Sequence, residues 1–228
     1  MKQAICKDCS FLCRKKIDLN EEESENLFRN KTTLNYNEGE IIIKQGSFVS
    51  SALFIREGLL QLEIINNAGK SMIVKYASEG MFVGLSRLNT ETTTYPYTVK
   101  VAKKAIVCHI KTEILQDIIA KNKKFSQYVL SWYGNDYEFL LNRISDLATK
   151  SANARIAEAL LYMDEFQSDN QDDNTLFTRK DIADYAGLSI ESANKILAVL
   201  KKSKMISVNG QTITILDKEK MSLMYERD

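Results

Sequence analysis

Long apolar runs, prolines and histidines are the features that this 228-residue sequence has least of. No stretch approaches the roughly 20 apolar residues of a membrane-spanning helix, and the N-terminal residues lack the apolar core of a secretory signal. The sequence therefore predicts a cytoplasmic protein with no membrane partner. In that reducing compartment, the four cysteines are expected to be thiols or metal ligands rather than disulfides.

The residue types that enzymes use for catalysis are equally scarce. His109 is the single histidine, and the sequence contains no phosphate-binding glycine loop and no paired-carboxylate motif. Because catalysis needs such groups within reach of one another, we predict that the chain is not an enzyme. His109 is interpreted as structural, because it follows Cys108 on a predicted strand and adjacent strand residues point to opposite faces.

Neither sign of charge is in excess, since the sequence has 31 basic and 30 acidic residues and a net charge of +1. This balance excludes a generally basic coat for nucleic acid, so any contact with phosphate must be local. Residues 195–204 contain four lysines and no acid, and they are the predicted place for such contact. Residues 164–173 contain five acids and no base, which predicts a solvated loop.

Glycines recur between apolar segments in the first half of the chain. Six of the nine glycines lie between Gly39 and Gly84, with β-branched and aliphatic runs of strand length among them. Short strands separated by turn residues are typical of an antiparallel sandwich or barrel. Residues 66–69, Asn-Asn-Ala-Gly, are predicted to form a hairpin loop. The predicted strands cover residues 40–43, 52–55, 59–65, 71–74, 97–101 and 105–110.

Helical spacing replaces this pattern in the middle of the chain. It predicts a short helix near 112–121, a long one over 123–149 and a third over 151–166. The apolar stripe of the long helix packs either on its own β-domain or on the same helix of a second subunit. We favour a homodimer, because a long amphipathic helix between two small domains is most easily buried against its own copy. The predicted dimer residues are Val129, Trp132, Phe139, Leu140, Ile144 and Leu147.

Residues 178–216 follow the order helix, tight turn, helix and hairpin, which is typical of a winged helix-turn-helix. Thr178 is predicted to cap the first helix, and Ser189 caps the second, over residues 190–203. Gly187 supplies the sharp turn between the two helices. The pair Asn209-Gly210 predicts the turn of the hairpin.

The second of these helices carries a polar row beside its apolar one. Four apolar residues at helical spacing are predicted to face the core: Ala193, Ile196, Leu197 and Leu200. In the neighbouring row, glutamate can accept from cytosine, asparagine can pair with adenine and lysine can donate to guanine. We therefore predict that this helix reads double-stranded DNA in the major groove. The predicted DNA-binding residues are Thr178, Arg179, Ser189, Glu191, Ser192, Asn194, Lys195 and Lys202.

These residues resemble the Crp/Fnr family of transcription regulators over nearly the whole chain. Residues 178–197 are similar to the family's helix-turn-helix, residues 204–213 to its wing, and residues 154–160 to the start of its DNA-binding domain. An apolar residue at Ile190 resembles the oxygen-sensing Fnr branch. The landmarks of the family's β-roll are matched in order by residues 37–40, 44–46, 53–58 and 80–84.

The resemblance implies an α+β chain of three parts. Residues 1–121 would form a sensory double-stranded β-roll, a jelly roll like that of cyclic-nucleotide-binding domains. Residues 122–149 would form a dimerisation helix, and residues 150–228 a winged helix-turn-helix. It also implies a homodimer that reads a palindrome through the helix at 189–203 in response to a signal at the N-terminal domain. RNA polymerase is the expected partner if the protein is an activator.

The effector pocket departs from that of cyclic-nucleotide binders. The resemblance places Leu85 where those proteins have a glutamate for the ribose. It places Tyr95 and Pro96 where they have an arginine and a serine for the phosphate. A buried phosphate without the arginine lacks its partner charge, so we argue against cyclic AMP. We expect a pocket that is filled by side chains such as Leu85 and Tyr95.

The cysteines are candidate metal ligands. Cys6, Cys9 and Cys13 lie within eight residues, and Cys108 lies in a predicted strand. Four thiolates match a [4Fe–4S] cluster or a structural Zn²⁺. The Fnr branch likewise has three N-terminal cysteines and one in that strand, although its third spacing is longer than that between Cys9 and Cys13. An iron–sulfur cluster, zinc or thiol redox chemistry, and no metal at all stay open.

Two other functions also stay open. One is a metal or redox-sensing module that acts through protein partners, which predicts metal uptake without selective binding of palindromes. The other is a regulator gated by a small-molecule effector other than cyclic AMP. That regulator would be stabilised thermally by its ligand, and its N-terminal cysteines would be dispensable.

Overall fold

A computed structural model describes residues 19–88, 91, 93–167, 177–210 and 212–227. The chain divides into two compact units. The first takes the residues up to Ile65 together with Lys75–Glu138, and the second takes Asn66–Val74 and the chain from Phe139 onward. The domain boundaries that the sequence suggests, after residues 121 and 149, lie on either side of this division and remain a prediction.

The first unit begins with helix α1 (Glu21–Arg29), which the sequence analysis does not predict. Asn20 caps it, and Glu23 completes a reciprocal capping box. Only Leu27 of this acidic helix is buried, and the predominance of charged and polar residues leaves few apolar positions from which to predict it. Six strands follow: β1 (Lys31–Tyr36), β2 (Ile41–Ile43), β3 (Ser51–Ile65), β4 (Ser71–Ser78), β5 (Phe82–Val83) and β6 (Thr98–Lys111).

The strands form one sheet in the order β1-β6-β3-β4, with β2 paired to β6 and β5 paired to β3. Strand β6 runs antiparallel to β1, β2 and β3. This arrangement confirms the predicted antiparallel β-domain. The hairpin loop at residues 66–69 is also confirmed, because the side chain of Asn66 accepts from the backbone of Ala68 and Lys70 at 3.0 Å each.

Strands β3 and β6 are each continuous where the sequence suggests two shorter strands. Gly58 does not end β3, because the register between β3 and β6 shifts on either side of it. Its φ is 94°, and a Cβ at this position would lie 2.3 Å from the carbonyl oxygen of Lys104. Gly58 is therefore part of a bulge that lets β3 continue where β6 approaches closely.

Successive residues of β3 alternate between two apolar cores, as the pleat of a strand requires. Leu53 and Ile55 belong to a core with residues of β6 such as Val99. Ala52 and Phe54 belong to the other, which includes residues of three helices. The buried helical members of this second core are Leu27, Leu115, Ile118, Phe125 and Val129.

The remaining helices have the bounds α2 (Thr112–Lys121), α3 (Lys123–Thr149), α4 (Ala152–Asp164), α5 (Arg179–Ala186), α6 (Ile190–Lys202) and α7 (Lys218–Glu226). The predicted helices up to residue 166 are confirmed, whereas α7 is not predicted. The wing consists of β7 (Ile206–Asn209) and β8 (Thr212–Ile215). Asn209 pairs with Thr212, so the predicted turn lies one residue too early. Among the described residues, no helix combines the length and apolar content needed to cross a membrane.

Candidate nucleic-acid interface

Helix α5 starts where the sequence predicts, at the cap residue Thr178. The Thr178 hydroxyl accepts from the backbone N–H of Asp181 at 3.2 Å, and the Asp181 carboxylate accepts from the Thr178 backbone at 2.7 Å. This reciprocal box satisfies two N–H groups at the helix start. It fixes Thr178 as the cap and Arg179 as the first residue of α5.

Gly187 ends α5 in the left-handed region, with φ of 65° and ψ of 33°. A Cβ there would lie 3.0 Å from Cδ2 of Leu147, so the turn is also tightly packed. Ser189 then caps α6 by accepting from the backbone N–H of Ser192 at 3.2 Å. The turn between the two helices is therefore set by one residue that needs positive φ and one that caps.

Helix α6 has the two faces that its sequence predicts. Of the residues predicted to face the core, Ile196 is half-buried and the other three, Ala193, Leu197 and Leu200, are buried. Glu191, Lys195 and Lys202 are exposed. The exposed residues recur at intervals of four and seven, so they form one continuous row of charged side chains along the helix. Ser189 and Ser192 are exposed beside the start of this row, and Val199 is exposed on its flank.

Glu191 is held in its charged form at the N-terminus of α6. A backbone N–H bond and the Ser189 hydroxyl lower the pKa of this carboxyl, and Lys195 adds to the effect. The positive end of the helix dipole favours a carboxylate at this position. Glu191 therefore offers only hydrogen-bond acceptors to a ligand at neutral pH.

Asn194 differs from its neighbours because it is half-buried. The guanidinium Nη1 of Arg179 lies 3.5 Å from the amide oxygen of Asn194. A side chain of the first helix thus touches a predicted base-reading residue of the second. In this contact the amide oxygen of Asn194 points toward Arg179. The amide NH₂ of Asn194 takes no part in it and is the group left to donate to a ligand.

The comparisons with known proteins match both halves of the chain. Residues 33–122 match the family model of the cyclic nucleotide-binding domain, and residues 154–224 match that of the Crp-like helix-turn-helix domain. The chain belongs to the Crp/Fnr family of transcription regulators. It is accordingly a DNA-binding transcription regulator with a helix-turn-helix.

Its relatives in the Crp/Fnr family are named as regulators rather than enzymes. The chain is 28% identical over 221 residues to the fumarate and nitrate reduction regulatory protein of Vibrio cholerae, covering 93% of this chain and 86% of that one. It is 27% identical to the anaerobic regulatory protein of Haemophilus influenzae, covering 93% and 84%. The structure of FixK2 from Bradyrhizobium japonicum shares the fold, with a TM-score of 0.74 at 17% identity over 85% of this chain and 96% of that one.

The predicted dimer residues of this Crp/Fnr regulator differ in their exposure within one subunit, and their role in a dimer remains a prediction. Val129 is buried in the helix-lined core of the first unit, and Trp132 packs against that core. In the second unit, the ring of Phe139 lies 5.7 Å from that of Tyr162. Leu140 and Leu147 are also partly covered, so Ile144 is the one predicted member that is exposed.

Helix α3 also has an exposed apolar stripe, of which the sequence predicts only Ile144. Leu130, Tyr137, Leu141 and Ile144 have exposed fractions of 70%, 66%, 47% and 64%. We call these four residues the α3 seam. Their positions follow a seven-residue repeat, in which 130, 137 and 144 share one position and 141 occupies the other. This repeat was visible in the sequence, but the buried residues of α3 are apolar too and hide it.

The residues at the predicted effector positions are part of the core, apart from Pro96. Leu85 is completely buried in a short 3₁₀ turn, Leu85–Arg87. Tyr95 is 3% exposed, and its hydroxyl donates to the backbone carbonyl of Ser51. Pro96 is exposed. A role of these three residues in binding an effector remains a prediction.

Cys108 is completely buried in the helix-lined core of the first unit. Its sulfur lies 3.4 Å from the Thr33 hydroxyl and 3.7 Å from Nζ of Lys31, both on β1. The other three cysteines, Cys6, Cys9 and Cys13, lie outside the described residues. Within the described residues, no group of three metal-ligating side chains occurs.

His109 forms a hydrogen bond through Nε2 to the Tyr36 hydroxyl at 2.8 Å. Burial lowers the pKa of its imidazole.

Proposed function

We propose that this regulator is a homodimer that reads a DNA palindrome with helix α6 of each subunit. The observation that carries this proposal is the exposed charged row of Glu191, Lys195 and Lys202. An ionised Glu191 can accept from the amino group of cytosine, and Lys195 can donate to guanine. Two such helices related by a two-fold axis fit major grooves that are about 34 Å apart.

Selection from a pool of random DNA at one fixed salt concentration tests this reading of DNA. We expect palindromic sites whose half-sites each carry the same bases. Glu191→Ala should relax the choice of base at one position per half-site, and removing its hydrogen bond to that base should cost about 1–3 kcal/mol of discrimination. Glu219→Ala, which removes an exposed glutamate of α7 in the same unit, is the matched control. Selected sites without two-fold symmetry would contradict the proposal.

We propose the α3 seam as the surface on which the two subunits pair. The seam is apolar and exposed, and its seven-residue repeat is the one that lets two helices pack along their length. Burial of such a stripe is the usual reason for long amphipathic helices to dimerise. Contact with RNA polymerase belongs to the same proposal and applies only if the dimer is an activator.

We further propose that the signal is oxygen or redox state, sensed by the four cysteines. Cys108 offers a buried sulfur 3.7 Å from the Lys31 ammonium, whose positive charge would balance part of the negative charge of a thiolate-bound cluster. Leu19 packs against the same core as Cys108, and Cys13 precedes Leu19 by six residues, which span at most about 20 Å. Cys6, Cys9 and Cys13, which lie outside the described residues, are proposed as the other three ligands. A [4Fe–4S] cluster held by the four thiolates would supply an oxygen-sensitive redox centre.

Anaerobic purification followed by iron and zinc analysis tests the signal separately from DNA binding. A cluster predicts broad absorbance near about 400 nm that bleaches in air, and Cys108→Ser should lower the iron content. Zinc in place of iron, with no visible absorbance, would support the alternative of a structural metal. A protein without metal under these conditions would contradict the oxygen signal and leave the DNA-binding proposal intact.

A further inference from the structure

Arg143 is the most deeply buried charged residue of the second unit among those described, with 5% of its surface exposed. It lies on α3 and extends into the packing of the helix-turn-helix. Its Nη1 donates to the Glu158 carboxylate of α4 at 2.8 Å, and its Nη2 donates to the backbone carbonyl of Tyr185 at 2.6 Å. One guanidinium therefore joins three helices, α3, α4 and α5.

The carbonyl that Arg143 reaches is one that its own helix leaves unsatisfied. Tyr185 is the penultimate residue of α5, and the last four carbonyls of a helix have no partner within it. That carbonyl precedes the Gly187 turn, which leads directly into the recognition helix α6. Arg143 thus binds the C-terminus of α5, which is followed by the Gly187 turn and α6.

The ring of Tyr185 closes this arrangement. The guanidinium of Arg143 lies 3.7 Å from the centre of the ring, and the Tyr185 hydroxyl donates to the second oxygen of Glu158 at 2.9 Å. Each of the three side chains therefore contacts the other two. The planar fork of arginine makes two bonds in fixed directions, which the single ammonium of lysine cannot do.

A second set of hydrogen bonds joins the C-terminal end of α3 to α7 in the same unit. Asp146, which is 7% exposed, accepts from the Tyr225 hydroxyl of α7 at 3.0 Å. Lys150 donates to the Tyr225 carbonyl at 2.7 Å. The C-terminal turns of α3 thus belong to the DNA-binding unit, and only Lys150 and Ser151 separate α3 from α4.

We infer that Arg143 is a positioning residue for DNA binding. It fixes the angle between the C-terminal turns of α3 and the helix-turn-helix, so the spacing of the two half-sites is set by α3 rather than by a free joint at Ser151. The inference rests on the proposed dimer and its palindrome. Because a buried salt bridge is weak evidence for stability, the effect expected of Arg143 is on the orientation of the helices.

The test uses the palindrome that the wild-type protein selects, together with variants in which the half-sites are one base pair closer or further apart. A single half-site serves as a fourth DNA. The wild type should prefer its own spacing by about tenfold or more, because one base pair displaces and rotates the second half-site. Arg143→Met should reduce this preference to less than about threefold and change affinity for the half-site by less than about twofold. Arg143→Lys should not restore the preference, because it lacks the two-pronged bond.

Tyr225→Phe is the matched control, because it removes a partly buried hydrogen bond that α3 makes with α7 rather than with α5. It should lower the melting temperature and keep the spacing preference. The inference is overturned if Arg143→Met keeps the wild-type preference, or if half-site and palindrome affinities fall together. It is also overturned if Tyr225→Phe flattens the preference equally. A wild type without preference for any palindrome would instead refute the proposed function, and the inference would fall with it.

Discussion

Lys204 is the only non-glycine residue with positive φ in the described part of the chain, at 60°. It follows the C-terminus of α6, where its backbone N–H donates to the Lys201 carbonyl and that of Met205 donates to Leu200. Glycine is the usual residue at this point of a helix end, because it has no Cβ to strain. An exposed lysine there contributes a charge next to the recognition helix at a cost in stability.

Lys204→Gly should therefore stabilise the fold and weaken DNA binding. A left-handed backbone conformation destabilises a non-glycine residue by about 1–2 kcal/mol. Glycine avoids this strain but loses more conformational entropy on folding, which offsets part of the gain. We expect the free energy of unfolding to rise by about 0.5–1 kcal/mol, measured by denaturant titration. Ser203→Gly is the control: its φ is −81°, so it should destabilise by up to about 1 kcal/mol. A loss of stability in Lys204→Gly would contradict the strain.

Gly58 carries the opposite prediction, because both its φ and its surroundings exclude a side chain. Gly58→Ala would place a methyl group 2.3 Å from the Lys104 carbonyl oxygen and 2.6 Å from Cα of Ala105, which are backbone atoms that cannot swing aside. We expect a loss of at least about 3 kcal/mol, from strain together with the broken bulge. Gly39→Ala is matched in φ at 84° but meets nothing within 4 Å, so it should cost only about 1 kcal/mol. Equal effects in thermal unfolding would refute the steric argument.

At the scale of elements, the sequence predicts well where capping and turn chemistry are local. Thr178, Gly187 and Ser189 do in the structure what their residue types favour, so both helices of the helix-turn-helix are found at their predicted places. Gly58 is misread because a glycine that ends a strand and one that forms a bulge look alike in sequence. The difference depends on Lys104, which is distant along the chain.

Helix α3 shows the same limit for the candidate site. It has apolar residues on several faces, and periodicity does not tell which face is covered by which neighbour. Val129 and Trp132 face the core of the first unit, whereas Leu130 and Leu141 are exposed. The length and type of the helix were therefore predictable, whereas the sequence alone did not show which of its apolar residues are exposed.

The α3 seam gives a prediction for the element itself. Leu141→Asp places a charge in the middle of the seam, where pairing of two subunits would bury it without a partner. We expect dimers to dissociate at concentrations where the wild type remains paired, as measured by analytical ultracentrifugation, with little change in helix content. Asn142→Asp adds the same charge at an exposed position about 100° around the helix and should leave the dimer unchanged. A dimer that persists in Leu141→Asp would exclude the seam as the interface.

For the whole molecule, the near-zero net charge determines how DNA is attracted. With 31 basic and 30 acidic residues, the protein has no long-range pull on a polyanion, and attraction depends on where the charges lie. Lys201 and Lys202 end the recognition helix, and Lys204 follows it, all three exposed. The salt dependence of binding should therefore arise from a few such lysines rather than from the protein as a whole.

Lys202→Gln tests this division of roles. Each phosphate contact contributes about 0.9 to the slope of log affinity against log salt concentration, so its removal from both subunits should lower the slope by about 1.8. Affinity should fall by a similar factor for the selected palindrome and for unrelated DNA, because phosphates carry no sequence. Glu191→Ala should do the reverse, changing the preference among sequences and leaving the slope as it was. If Lys202→Gln instead altered the preferred bases with an unchanged slope, Lys202 would read a base edge, and the attraction to phosphate would have to come from Lys201 and Lys204.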